Sequence, residues 1–224
     1  MSPARARHSA PPPRLGLSRY VRDNGLTLVL GAIFLASLAG HVLSGWSAHN
    51  ADLAERGRTM LGLPAYLGSG AFLSSLFENW ESEFLQMAAY VVLTAILFQR
   101  GSAESRDPDA PDDAPGDRPR PGLAGWIHAH LLGLALVALF LLCFLLHWVF
   151  STRDAMEEAA MNGLAGPASM LDHLFEARFW FESFQNWQSE FLSTAVLVVL
   201  TIVLRQRGSP ESKPLDAPRG QTGK

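Results

Sequence analysis

Two short segments of this chain carry residue types that could do chemistry. Asn79-Trp80-Glu81-Ser82-Glu83 recurs as Asn186-Trp187-Gln188-Ser189-Glu190, so Glu83 and Glu190 are the acidic positions common to both copies. Each copy is preceded by a long apolar run with a histidine near its end, His41 in one and His147 in the other. Two imidazoles and two carboxylates related by such a repeat could hold a metal ion, since both are ordinary metal ligands. They could instead relay protons. A haem between the two histidines is a further alternative, although no other haem-pocket signal accompanies them. A plainer reading stands beside these: His41 and His147 pair with a glutamate of their own half or sit in the headgroup layer.

The repeated motif also has a purely structural reading. Asn79 and Asn186 stand where a helix N-cap belongs, accepting from free backbone N–H groups. Glu83 and Glu190 then fall in the first turn, where the positive helix end favours a carboxylate. Trp80 and Trp187 would anchor the helix at a membrane interface. Familiar catalytic templates are missing: the chain has no glycine-rich phosphate loop, no H-E-x-x-H and no G-x-S-x-G. The lone Cys143 lies in an apolar run with nothing near it in sequence to activate a thiolate. No reaction is expected, and no cofactor.

The elements that must position these residues follow from hydropathy. Of the 224 residues, 48% are hydrophobic and 17% charged. That is too apolar for a disordered chain, and a net charge of −3 gives no basic footprint for nucleic acid. A single cysteine excludes an internal disulfide framework. Charges are segregated from four apolar runs, Leu26–Leu43, Phe84–Phe98, Ile127–Phe150 and Phe191–Leu204; the two shorter ones reach spanning length with their flanks, as Asn79–Phe98 and Asn186–Leu204. About 20 helical residues cross a hydrocarbon core of about 30 Å, so the expectation is an all-α membrane protein with four transmembrane helices. The first run resembles a signal peptide but is long for one and lacks a clear cleavage site, so it is expected to stay.

Glu78–Ser105 aligns without a gap to Gln185–Ser212, with identity at about 18 of 28 positions. Both copies end in Gln-Arg-Gly-Ser, where arginine and glycine form a helix stop. Each unit holds two crossings, so the expected layout is two tandem parallel-repeat hairpins. The boundaries read as a disordered tail over 1–19, hairpins over 20–106 and 122–207, a Pro/Asp-rich linker over 107–121, and a disordered tail over 208–224. Short interfacial helices are expected in the outer loops, at Ala71–Phe77 and Leu171–Phe184. All but four of the 18 Lys and Arg (Arg56, Arg58, Arg153 and Arg178) lie before the first apolar run, between the second and third, or after the fourth. The positive-inside rule therefore places both termini in the cytoplasm.

Phe77–Leu85 and Gln206–Pro214 carry F-E-N-W-x-S-E-F-L and Q-R-G-S-x-E-S-K-P. On these motifs, over roughly 20–214, the chain resembles a family of small bacterial integral membrane proteins whose shared domain has no assigned function. The resemblance implies a bacterial plasma membrane location and supplies no activity or site residue. The expected partners are the lipid bilayer and a second copy or another membrane protein. The leading expectation for function is a non-enzymatic structural or accessory membrane component. The alternatives are a small transporter or channel at the interface between the repeats, and a metal- or haem-binding membrane protein.

Overall fold

The computed structural model describes residues 17–110 and 121–223. Residues 1–16 of the tail expected over 1–19 and residues 111–120 of the linker expected over 107–121 lie outside them, and 17–19 of that tail open a helix instead. Among the described residues all regular structure is helical: α1 (Leu17–Asp23), α2 (Gly25–Glu55), α3 (Leu63–Leu67), α4 (Gly70–Ile96), α5 (Leu123–Asn162), α6 (Met170–Leu174) and α7 (Ala177–Val203). Helices α2, α5 and α7 are long and apolar enough to cross a membrane. Helix α4 has 27 residues, as many as α7, but Glu78, Asn79, Glu81, Glu83 and Gln86 dilute its apolar run. Leu131, Leu132, Leu141 and Leu142 of α5 and Val199, Leu200 and Leu204 at the end of α7 are all exposed. A helix that is apolar where it faces outward belongs in hydrocarbon.

The chain divides into two compact units, Met1–Leu61 and Gly62–Lys224, rather than at the linker between the expected hairpins. In the first unit, α2 ends at Glu55, and Gly57 just beyond it has a φ of 66°, the left-handed conformation glycine takes after a helix. The following segment folds back on the helix. The Trp46 indole donates to the Leu61 carbonyl at 2.7 Å, and the Asn50 side chain both donates to and accepts from the Leu61 backbone.

In the second unit α4 and α5 lie most closely together, and α7 joins α4. Contact therefore runs between the two halves of the sequence. Buried positions Gly70, Ser74, Glu81 and Ala88 of α4 recur at helical intervals. Gly70 meets α5 backbone to backbone: a Cβ there would lie 2.5 Å from the Asp154 nitrogen. Phe77 stacks on Phe150 at 5.8 Å, and Gly133 lets Val92 approach α5. Helix α5 has 40 residues, about 60 Å of helix. It outruns any apolar core, and its last turns carry Arg153, Asp154, Glu157 and Glu158.

Three expectations are corrected. Asn79 and Asn186 are not N-caps; both lie well inside helices. Helix α4 is capped by Ser69, whose hydroxyl accepts from the Phe72 N–H, and α7 follows Glu176. The segments 71–77 and 171–184 are not separate surface helices either. The first is the opening of α4; the second is split between α6 and the start of α7, so Trp80 and Trp187 stand mid-helix. The local reason is helical periodicity that continues upstream of the asparagines, with Phe72 and Phe179 buried.

The expected disordered tail from 208 onward is also corrected. Residues 208–223 form turns clamped to the Gly101 loop. Lys213, buried, donates its Nζ to the carbonyls of Gly101, Arg219 and Gln221. Gly223 N–H donates to the Ser102 carbonyl at 2.9 Å, and Gly101 N–H to the Thr222 hydroxyl at 2.9 Å. Burial, and then neighbouring Arg205, hold the Lys213 ammonium below the usual lysine range. The two Gln-Arg-Gly-Ser turns make the same bonds. Ser105 and Ser212 hydroxyls accept from Gln99 and Gln206 N–H at 2.8 and 2.9 Å, and Ser102 and Ser209 hydroxyls accept from Glu104 and Glu211 N–H, both at 3.1 Å.

Candidate functional site

Where α4, α5, α6 and α7 meet, ionisable side chains are buried together. His147 of α5 and Glu81 of α4 are both 0% exposed. His147 Nδ1 lies 3.0 Å from Glu81 Oε2, and the other Glu81 oxygen accepts from the Trp187 indole of α7 at 3.1 Å. One helical turn earlier, Glu78 accepts from Asn186 at 2.5 Å. Two of the helix-interface residues of the repeated motif, Asn186 and Trp187, are thus donors to carboxylates across α4 and α7.

On the far side of the imidazole, His147 Nε2 faces Glu182 Oε2 of α7 at 3.7 Å. That is too long for a hydrogen bond, and Nε2 is buried without one. Glu182 is nevertheless well held. The Ser151 hydroxyl donates to its Oε2 at 3.0 Å and Arg178 Nε to its Oε1 at 2.9 Å. Arg178 also pairs with Glu158 and, at 3.3 Å, with Asp154. Ser151 Oγ lies 2.9 Å from His173 Nε2 of α6, and His173 Nδ1 lies 2.8 Å from Glu176. Phe179, wholly buried, stacks on the His147 ring at 4.9 Å and meets His173 edge-on at 5.7 Å. This aromatic lid keeps solvent from the imidazole faces.

Of the four candidate polar residues, only His147 lies in this cluster. Glu83 is exposed and Glu190 part-exposed on the α4–α7 side; they interact with each other through their charges. His41 is part-exposed on α2, in the first unit. Glu81, Glu182, Ser151, His173 and Glu176 are the members that sequence reasoning passed over. Glu81 and Glu182 correspond to Gln188 and Ser75 in the other copy, so a search for acids shared by the repeats discards both. Among the described residues, no group of three or more His, Cys, Asp or Glu side chains is arranged to hold a metal ion.

Further along the α4–α7 seam, Gln86 donates to Thr194, Tyr90 to Glu104, and Ser102 shares a hydrogen bond with Thr201 at 2.9 Å. Beside them lies a mostly apolar cavity of about 320 Å³ lined by Leu93, Phe98, Phe191 and Val198. In the short helix α3 before α4, Tyr66 is buried against Phe72 at 5.3 Å, and burial pushes its hydroxyl above the usual tyrosine range.

Residues 17–224 match the family described as a domain of unknown function (DUF6766), and the chain belongs to that family. No curated protein and no solved structure matches the chain.

Proposed function

We propose that this member of the DUF6766 family is a non-enzymatic integral membrane component of structural or accessory type. In this reading four helices cross a bacterial inner membrane as two parallel-repeat hairpins, with both termini in the cytoplasm. The observation that carries it is the opposed distribution of side chains in the second unit. Apolar residues face outward along α5 and α7, whereas Glu81, Glu78 and Glu182 are engaged by Trp187, Asn186, Arg178 and Ser151. Such a network fastens helices together in a medium where hydrophobic association between them is weak. The matching bonds of the two Gln-Arg-Gly-Ser turns support the repeat layout.

Native mass spectrometry of the protein released gently from detergent tests this reading. The expected result is the polypeptide alone or with lipid and partner subunits. A mass excess equal to a metal or haem would overturn it and restore a ligand-carrying function.

A second reading, a small transporter or channel, draws on the polar row along α4 and α7 and the cavity beside it. Proton or ion flux through proteoliposomes, reduced by Glu83→Gln with Glu190→Gln, is its expected signature. Wild-type protein that supports no flux excludes it.

A further inference from the structure

We propose that the Glu81–His147 pair is a proton-binding site, filled from the α6 end of the bundle through Glu182, Ser151, His173 and Glu176. This goes beyond a fastening role, because it assigns the cluster an exchangeable ligand, the proton, and a route to it. The route is a continuous series of groups that both give and take protons. Glu176, whose side chain is 41% exposed, is 2.8 Å from His173. His173 is 2.9 Å from Ser151, Ser151 is 3.0 Å from Glu182, and Glu182 is 3.7 Å from His147. His147 in turn is 3.0 Å from Glu81.

Counting hydrogens shows why the series is not static. It has five links. Two neutral imidazoles and one hydroxyl supply three hydrogens, and ionised carboxylates supply none. With Nδ1–H directed at Glu81, the neutral His147 ring turns a lone pair toward a Glu182 oxygen that is itself only an acceptor. Two links therefore lack a hydrogen: with Ser151 donating to Glu182 and His173 Nε2–H to Ser151, His173 Nδ1 turns a lone pair toward Glu176, and the 3.7 Å gap and the unpartnered, buried Nε2 mark the inner one, Glu182 to His147. One added proton fills it.

The transfer balances in atoms and charge. A solvent proton is taken by the Glu176 carboxylate and passed to His173 Nδ1, and His173 releases its Nε2 proton to Ser151. Ser151 passes its hydroxyl hydrogen to Glu182 Oε2, and Glu182 passes it to His147 Nε2. The product is an imidazolium held between two carboxylates, with His173 left as its Nδ1–H tautomer and the Ser151 hydroxyl turned toward His173 Nε2; the return of that tautomer and hydroxyl resets the route. The series then ends. The remaining Glu81 oxygen meets the Trp187 N–H, which donates only, and the second Glu182 oxygen meets Arg178, which does likewise. The site stores a proton and does not pass it through the membrane. The charged and titratable groups facing His147 are Glu81 and Glu78 from α4, Glu182 from α7, with Arg178 behind it, and His173 from α6 through Ser151. On α5 itself, Cys143 lies one turn away, near Glu81.

The test uses the full chain in lipid nanodiscs with ¹⁵N-labelled histidine, His147 being assigned by His147→Gln. In the wild type the His147 nitrogen signals are expected to titrate as bulk pH is taken from about 4 to about 11, a range that covers the displaced values buried groups reach. A pH jump followed with a soluble indicator dye should show proton uptake that His147→Gln abolishes. Ser151→Ala should keep the equilibrium titration and slow the uptake by at least about tenfold. Glu176→Gln, at a part-exposed position, gives the same interruption if Ser151→Ala does not fold. His147 signals that stay constant over the whole range overturn the proposal. So does uptake in the interrupted variants as fast as in the wild type. A titrating His147 with wild-type flux across proteoliposomes would overturn the closed end of the route. None of these outcomes bears on whether the isolated protein carries a metal or haem, so this proposal and the structural reading fail separately.

Discussion

At the scale of single residues, the cluster illustrates how a buried ion pair differs from a stabilising contact. Removing one partner of such a pair leaves a charge or polar group without compensation and typically costs about 3–5 kcal/mol, whereas replacing both with apolar groups is often close to neutral. His147→Leu and Glu81→Leu are each expected to lower the denaturation midpoint in detergent, and the double variant should be more stable than either alone. Additive losses would show that the two side chains do not act as a pair. Glu83→Gln, on an exposed side chain, should change stability by no more than about 0.5 kcal/mol. These residues also show what the sequence could not reveal. His147 is visible as a lone imidazole in an apolar run. Its partners are not, because they come from positions where the two copies differ. An internal repeat reports what both halves need for folding; a single buried site between the halves falls where they have diverged.

At the scale of elements, membrane helices were legible where hydropathy is high on every face, as in α2 and α5. The start of α4 was not, because its first half mixes Ser, Glu and Asn with Phe and Leu and so resembles a polar loop followed by a cap. The buried positions 70, 74, 81 and 88 carry the missing signal: one buried helical face continues without a break from before the motif to beyond it, with Asn79 on the exposed side. Substitution distinguishes the two boundaries. Ser69→Ala removes the observed cap and should cost about 1 kcal/mol. Asn79→Ala lies at an exposed mid-helix position, where alanine has the better helix propensity, and should be neutral or slightly stabilising. A larger loss at Asn79 than at Ser69, read by thermal unfolding, would put the helix start back at the motif. Gly70→Ala should be worse than either, by about 1–3 kcal/mol, since the added carbon meets the Asp154 backbone and neither helix can yield by moving a side chain.

At the scale of the whole molecule, composition alone misplaced the C-terminal segment. Proline, glycine and charge usually mean a solvated tail; here one buried lysine organises them. Lys213 offers three hydrogens to three backbone carbonyls, so it ties the end of the chain to the Gly101 turn that follows α4. Lys213→Met keeps the length and apolar stem of the side chain and removes all three bonds. Hydrogen exchange should then accelerate at the amides of Gly101 and Gly223, both of which bond across this contact, while the α4–α5 amides stay protected. Unchanged exchange at both would mean that the turn holds itself.

The same clamp gives the orientation proposal a sharp test, because it brings the end of α4, the end of α7 and the C-terminal segment to one side. The loop between α5 and α7 must lie on the other if α7 crosses the membrane once. With Cys143 replaced by serine, a cysteine at the exposed Asp216 and one at the exposed Ala165 should respond in opposite ways to an impermeant thiol reagent applied to intact cells. Asp216→Cys should be labelled only after permeabilisation, and Ala165→Cys immediately. Labelling of both before permeabilisation would mean that α7 does not span. The reverse order would keep the span and overturn the arginine-based orientation, placing the proton-accepting end of the bundle on the cytoplasmic side.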